Sequence, residues 1–295
     1  MSMSKSRPCP LCYGKDSAVS FPFATNFNNI QFNYIKCSSC FSVFVDPVPD
    51  SQTFAMMYAK AAYHDVYYEG SESGEYTESA NLLKAYLPVG ATVLDYGCGV
   101  GAFLIGLAKE GFTPCGVEFD VDAARFAGQN TNCKTYSVEQ FRALTDKPKF
   151  DAIHLGDVLE HLPDPAHTLK ELLDYLKPGG VLFVEGPLEI NPSPVYIAAR
   201  TFGWFKRLAK PYFVANHTPT HLFLTDAKQQ QAFFRQVEPS LDLLSWKVYE
   251  TGWPYTNGGI VKRLIAATAK LVSGQRLFGV ILGNRFRAVF RLPTK

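Results

Sequence analysis

Residues 93–103 read VLDYGCGVGAF: a short apolar run, a carboxylate at Asp95, and glycines at 97, 99 and 101 before apolar residues resume. A glycine-rich turn that leaves a strand and opens a helix bares backbone N–H groups and lets the chain approach a ligand closely. With Ala102 the stretch even satisfies the relaxed dinucleotide fingerprint G-x-G-x-x-A. The acid separates the two candidate ligands. A pyrophosphate would bring negative charge next to Asp95 and be repelled, whereas a ligand with an ammonium and a sulfonium is attracted, directly or through water. S-adenosylmethionine has that charge pattern. Glu118, 21 residues past Gly97 and ending the next apolar run, is placed to accept hydrogen bonds from both ribose hydroxyls and would serve either cofactor.

Outward from this turn, TVLDY, PCGVEF, CKTYSV, FDAIHLG and VLFVEG alternate with helical stretches from Gly101 to Glu110 and Val121 to Gln129. Such alternation predicts an α/β fold, a Rossmann-like, mostly parallel sheet with helices on both faces. In PAHTLKELLDYLKPGG, Leu169, Leu172, Leu173 and Leu176 recur at helical spacing, and Pro178 with the two glycines predicts the stop. From 187 to 222 the pattern lapses into an aromatic, basic insertion that reads as a lid. Thr225 is the expected cap of the helix AKQQQAFFRQV. A strand near 241–250, a helix over 260–272 and the alternating run NRFRAVFRLP follow. NPSP at 191–194 resembles the N-P-P-[YF] used for exocyclic amines, but it follows the fifth strand instead of the fourth, which argues against amine methylation of bases.

The N-terminus carries CPLC at 9–12 and CSSC at 37–40. Two C-x2-C knuckles can bring the thiolates of Cys9, Cys12, Cys37 and Cys40 into a tetrahedron. With all four positions filled by protein, the expected ion is structural zinc, Zn2+; iron and redox-active thiols are the alternatives. AVSFPF and IQFNYIK read as hairpin strands. The expected organisation is a zinc-ribbon domain at 1–50, a tyrosine-rich helical connecting segment at 51–90, and a catalytic domain at 91–295 holding the lid insertion.

VLDYGCGVGAF, then GVEFD, FDAIHLGDVLEHLPDP and LKPGG, resemble in order and spacing the class I S-adenosylmethionine-dependent methyltransferases over roughly 90–190. The cysteine array and the Tyr-rich segment are similar to the subgroup with an N-terminal zinc-binding domain, which includes sugar methyltransferases. The resemblance implies that Asp95, Gly97 and Gly99 line the methionine end of the cofactor, Glu118 the ribose and Phe119 the adenine. It places Val138 and Glu139 over the adenine, Gly156 and Asp157 beside the methionyl group, and Tyr68 and Tyr76 as covers from the N-terminal side; simple packing is the other reading of these tyrosines.

Methyl transfer needs alignment, a dry site and, where the nucleophile holds a proton, a base. Glu160 and His161 lie just beyond the expected cofactor pocket, and His217 and His221 come from the insertion; His161 and His221, with Glu160, are the catalytic candidates. Capping and loop-tying is the alternative role of Glu160 and His161. A metal held by Asp, Glu and His, as in small-RNA ribose methyltransferases that resemble the D-x-x-E-H stretch, is a further one. Lys206, Arg207 and Lys210 are expected to meet a substrate phosphate, with Trp204 or Tyr212 stacked on a sugar face.

At 295 residues, 47% apolar and 19% charged, the composition is that of a globular chain. The opening residues lack a signal-peptide run, and no stretch approaches the roughly 20 apolar residues of a membrane span, so a cytoplasmic location is expected. Cys98, Cys115 and Cys133 sit singly in apolar contexts, unlike a secreted disulfide framework. Net charge is +2, yet after Glu250 there are eight Lys or Arg and no acid. This asymmetry suggests an anionic partner, with a solvated helix face and a charged strand edge as the other reading. The expected acceptor is a small polar molecule methylated on a hydroxyl or carbon, a sugar or glycan intermediate such as a nucleotide sugar or lipid-linked glycan. The rivals are RNA methylation, a cofactor-binding module without catalysis and a dinucleotide oxidoreductase, which Asp95 disfavours; peripheral membrane contact through the basic C-terminus is a further partner reading.

Overall fold

The computed structural model describes residues 7–58, 74–211 and 214–294. The ribbon comprises β1 (Ser17–Phe27), β2 (Ile30–Cys37) and β3 (Val43–Asp46), followed by α1 (Ser51–Tyr58) and α2 (Gly74–Leu83). The alternating part runs β4 (Thr92–Tyr96), α3 (Ala102–Lys109), β5 (Thr113–Glu118), α4 (Val121–Thr131), β6 (Lys134–Ser137), α5 (Val138–Arg142), β7 (Phe150–Gly156), a single turn at Leu159–His161, α6 (Pro165–Leu173) and β8 (Leu176–Pro187). Then come α7 (Pro194–Ala209), β9 (Ala215–Asn216), β10 (Phe223–Leu224), α8 (Ala227–Val237), β11 (Asp242–Tyr249), α9 (Ile260–Leu271), β12 (Arg276–Leu277), β13 (Val280–Ile281) and β14 (Arg285–Arg291).

The larger sheet has the order β11-β14-β8-β7-β4-β5-β6. Its five early strands are parallel, while β14 runs antiparallel to both β8 and β11. Burial on both faces explains the continuous apolar runs: Val93, Leu94, Ala152, Ile153, Leu182 and Phe183 are completely buried, each contributing roughly 1.5–3 kcal/mol if a branched or aromatic side chain. From β4 the chain steps to β5 and β6 on one side, then returns to β7 on the other. That reversal opens a crevice at the carboxyl ends of β4 and β7, where ligands of such sheets bind.

Two local readings change, and a third motif gains a structural role. The leucine-spaced helix ends at Leu173, with Asp174 at its C-cap, and Leu176 already pairs with Phe150 as the first residue of β8. The sheet claims it because the Phe150 N–H donates to the Tyr175 carbonyl at 2.9 Å. Asp226, not Thr225, caps α8, in a box with Gln229, while the Thr225 hydroxyl donates to the Gln230 side chain at 2.8 Å. NPSP is a helix start: Ser193 accepts from the Tyr196 N–H and Pro194 occupies the first turn of α7. Its Asn191 is buried and donates to the carbonyls of Ile281 and Gly283.

The second sheet, β10-β3-β2-β1-β9, shows where the insertion goes. β9 pairs with β1 and β10 with β3, so residues 215–224 flank the ribbon on both edges. Phe223 lies opposite Phe44, and the Val45 N–H donates to the Leu222 carbonyl at 2.9 Å. A four-residue strand such as β3 would otherwise present a bare edge. Cys9, Leu11, Ile35 and Phe44 share one apolar core with Leu188, Phe223 and Phe233. Calorimetry on the intact chain should therefore show a single transition, and residues 51–295 alone should not form a cooperatively folded unit. Two separated transitions would show that the ribbon folds apart.

Candidate active site

Two adjoining cavities occupy the crevice. The larger, about 380 Å³, is lined by Glu118, Phe119, Val138, Val158 and His161 among others; the smaller, about 150 Å³, by Tyr76, Asp95, Gly99, His154, Gly156 and Glu185 among others. Gly97 and Asp157 line both and mark where they meet. Gly97 has φ 88°, and a Cβ there would come within 2.4 Å of Val158, so the turn demands glycine on both counts. Glu118 is buried, its carboxylate accepting from the Gly99 N–H at 2.8 Å and the Phe119 N–H at 2.7 Å. Glycine turn and acid are thereby held as one unit. Phe119 is half exposed and meets Phe54 edge-on, with centroids 5.0 Å apart.

Asp95, Gly97, Gly99, Glu118, Phe119, Val138, Gly156, Asp157 and Tyr76 thus all line the crevice. Glu139 is exposed and lines neither cavity: the capping box of Ser137 and Gln140 starts α5 with Val138 inward, and Glu139 points to solvent. Tyr68 and Tyr212 lie outside the described residues. Trp204, Lys206, Arg207 and Lys210 stand exposed on or just after α7, away from both cavity walls; the Arg207 guanidinium lies 4.0 Å from the centre of the Phe23 ring.

The candidates from D-x-x-E-H and the insertion do converge. Glu160, His161 and His221 each place a ligand atom within 4.8 Å of the others, and the two imidazoles meet edge-on with centroids 4.9 Å apart. His161 Nδ1 lies 2.7 Å from the Thr220 carbonyl, which also accepts from the Tyr58 hydroxyl at 2.5 Å. His221 Nδ1 is 2.9 Å from Glu189. Burial and the neighbouring His221 charge hold His161 down to about 3. For His221, burial is outweighed by Glu189, then Glu160 and Asp157, and its pKa rises to about 9. Burial and the Asp157 charge push Glu160 up to about 8, and among the described residues its buried Oε1 has no hydrogen-bond partner. His217 stands apart from this cluster, its Nδ1 3.1 Å from the Thr25 hydroxyl of β1.

In the ribbon, the four thiols also lie within 4.8 Å of one another, with Cys9 Sγ 3.6 Å from Cys40 Sγ and Cys12 Sγ 3.5 Å from Cys37 Sγ. A tetrahedron with metal–sulfur bonds of about 2.3 Å has edges of about 3.8 Å. The cluster is close to that size.

Comparison with known proteins agrees with this geometry. The family described as a methyltransferase domain matches residues 68–236, more than half of the 295-residue chain. The chain belongs to the methyltransferase-domain family. Its sheet order and crevice are those of class I S-adenosylmethionine-dependent methyltransferases. Among curated relatives, the ubiquinone biosynthesis O-methyltransferase of Xanthomonas axonopodis pv. citri (strain 306) is 31% identical over 123 residues, 39% of this chain and 50% of that protein. Its namesake from Coxiella burnetii (strain Dugway 5J108-111) is 38% identical over 99 residues, 32% of this chain and 42% of that one. The match thus spans half or less of these relatives. Among solved structures, a chain of the complex between the Haloferax volcanii Trm112 methyltransferase activator and its methyltransferase superposes with TM-score 0.54 at 19% identity, covering 83% of this chain and 99% of that one. A SAM-dependent methyltransferase from Archaeoglobus fulgidus gives 0.50 at 18%, covering 78% and 99%. At these identities the likeness concerns the fold.

Within this methyltransferase domain, sequence reasoning missed a row of buried charges beneath the smaller cavity. His154 Nδ1 lies 2.8 Å from Asp95 and its Nε2 3.4 Å from Glu185. Arg287 binds Glu185 on one side and Glu78 and Ser79 on the other, and Arg285 donates twice to Asp157 at 2.8 and 2.6 Å. The available signal was a histidine, a glutamate and two arginines inside strands otherwise apolar. Burial alone would lower the pKa of His154, but Asp95 and Glu185 outweigh it and raise it from 6.5 to about 9. An imidazolium so held stabilises the fold fully below its unfolded pKa, and that contribution is lost as pH climbs through about 9. The difference in thermal midpoint between wild type and His154→Asn should therefore be largest near pH 6 and shrink across this window. A difference constant with pH would mean that the charge of His154 contributes nothing.

Proposed function

We propose that the protein transfers a methyl group from S-adenosylmethionine to a hydroxyl group of a small polar acceptor, a sugar or glycan intermediate, and that its N-terminal thiols hold a structural zinc ion. The observation that carries this reading is the larger cavity, which joins Glu118 and Phe119 on one wall to His161 on another. Glu118 and Phe119 would hold the nucleoside, and Asp95 with the glycine turn the cationic amino-acid end. When bound, the cofactor supplies a methyl group activated by a positive sulfur. The similarity to O-methyltransferases favours oxygen over carbon.

The chain's own residues then have two tasks, alignment and proton removal. With Nδ1–H donated to the Thr220 carbonyl, His161 keeps its lone pair on Nε2 and accepts a hydrogen bond from the acceptor hydroxyl. Its low basicity is no obstacle, because an oxygen that has gained a methyl group before losing its proton is a strong acid. His221, paired with Glu189, keeps a positive charge beside the imidazole and holds it neutral until that moment.

A second reading has a specific observation in its favour. Glu160, His161 and His221 offer three ligand atoms within 4.8 Å, and among the described residues the buried Glu160 Oε1 has no hydrogen-bond partner. Each histidine has its Nδ1 engaged, as metal-binding imidazoles commonly do. A divalent cation there would hold the acceptor oxygen directly. Activity abolished by chelation and restored by magnesium or manganese would select this reading over the base.

The decisive experiment offers labelled methyl donor to pooled nucleotide sugars, lipid extracts and cellular RNA. Label should enter the sugar or glycan fraction; label in RNA alone would overturn the acceptor class. Glu118→Ala should weaken cofactor binding by about 1–3 kcal/mol, the scale for hydrogen bonds to a charged group. His161→Ala should lower turnover with cofactor affinity nearly intact. Metal analysis should find one zinc per chain, lost in Cys9→Ser; a zinc-free wild-type protein would remove the ribbon's metal.

A further inference from the structure

Helix α9 is amphipathic the wrong way round for a protein surface. The side it turns inward is small: Ala266 and Ala269 are buried against Val195 of α7 and Tyr255. Its large side chains face solvent. Ile260, Val261, Leu264 and Leu271, at i, i+1, i+4 and i+11, form one stripe and are 70, 64, 63 and 79% exposed. Seven residues beyond Leu271, Phe278 sits between the two-residue strands β12 and β13 and is 97% exposed. An apolar side chain so placed is solvated at a cost unless something covers it.

The charge around this stripe says what does. Lys262, Arg263 and Arg276 are exposed beside it, and the chain has no Asp or Glu between 251 and 295. The neighbouring helix α7 repeats the theme. Trp204, Phe205 and Leu208 are more than half exposed there, next to Lys206 and Arg207, and no acid occurs between 190 and 225. A second copy of the chain would set these cations against their own copies with no carboxylate to answer them. A nucleic acid would neutralise the cations but leave Leu271 and Phe278 in water. An anionic bilayer satisfies both: its headgroups meet Lys262, Arg263 and Arg276, and its acyl boundary takes the apolar stripe. Among the described residues no helix is long and apolar enough to cross a membrane, so the contact is peripheral.

We infer that α9 and the β12–β13 hairpin form a docking surface for an anionic phospholipid bilayer. The test is co-sedimentation of the full-length protein with vesicles of phosphatidylcholine, with or without phosphatidylglycerol. Tryptophan emission, compared between wild type and Trp253→Phe, serves as a second readout, since Trp253 is 61% exposed in the segment before α9. The protein should partition at least about ten-fold more strongly onto the anionic vesicles, less so at high salt, with a blue-shifted emission. The double variant Leu264→Gln/Phe278→Ser should lose that partitioning about ten-fold while keeping its thermal midpoint and its cofactor affinity. A charge variant, Arg263→Gln/Arg276→Gln, should lose the preference for phosphatidylglycerol without any change in the apolar stripe. Equal partitioning onto both vesicle types, unchanged binding by both variants, or a dimer in sedimentation velocity that Leu264→Gln dissolves would overturn the inference.

Discussion

A carboxylate is buried in the middle of the sheet, and much of the crevice is arranged to keep it there. Asp95 is 3% exposed, and a charge taken out of water is costly unless it is paired. The compensation runs sideways through four adjacent strands. Asp95 of β4 lies directly opposite His154 of β7, His154 sits diagonally across from Glu185 of β8, and Glu185 lies opposite Arg287 of β14. Signs alternate at every step, and the last cation reaches α2 through Glu78 and Ser79. Cross-strand neighbours of this kind interact only when register is held, because a one-residue slip sends each side chain to the opposite face. The apolar core and the charge row therefore specify the same pairing. The antiparallel C-terminal strand contributes more than an edge: it brings the arginines that close the row and fix Asp157.

That row also explains what the sequence showed and what it hid. The crevice was legible because its parts are local: an apolar strand, an acid and three glycines occur within eleven residues, and Glu118 ends the next strand at a countable distance. Burial on both faces made the parallel strands conspicuous as apolar runs. His154 lies 59 residues from Asp95 and 31 from Glu185, which lies 102 from Arg287. No window contains two of these partners. Polar residues inside such runs are nevertheless a readable warning, since a central strand tolerates them only when they are paired. The four cysteines needed no register to be recognised, since their spacing carries the signal. β9 and β10 are two residues each and have no periodicity to detect, so the destination of the insertion was out of reach. Glu139 is a different case, a position carried over by resemblance that the local capping geometry leaves exposed.

The corner proposed for the acceptor is built from three remote pieces of chain. Tyr58 of α1, the turn at Glu160 and His161, and the insertion at Thr220 and His221 meet within hydrogen-bond or ring contact. The Leu222 N–H donates to the Glu160 carbonyl at 2.6 Å, so the insertion is tied to the turn by its backbone as well as its side chains. Anchoring at both ends matters for chemistry that depends on alignment, because small displacements of a positioning group cost rate steeply. Residues 217–222, which complete this corner, hang between β9 and β10 and hence between the two edges of the ribbon sheet.

That arrangement has a consequence for synthesis. The three strands of the ribbon leave the ribosome well before the strands that cover their edges, which are encoded more than 160 residues later. Until Leu224 emerges, β1 and β3 each present unpaired backbone groups, and apolar residues such as Phe44 have no lid. The nascent chain must carry an unfinished sheet while the intervening residues are made, the circumstance in which strand edges attract the wrong partners. Closing the loop from residue 46 to residue 223 is a long-range contact of the kind that slows folding. A metal that stapled the two knuckles early would hold the hairpin in register while the remainder of the chain is made, giving the cysteines a kinetic role before the enzyme exists.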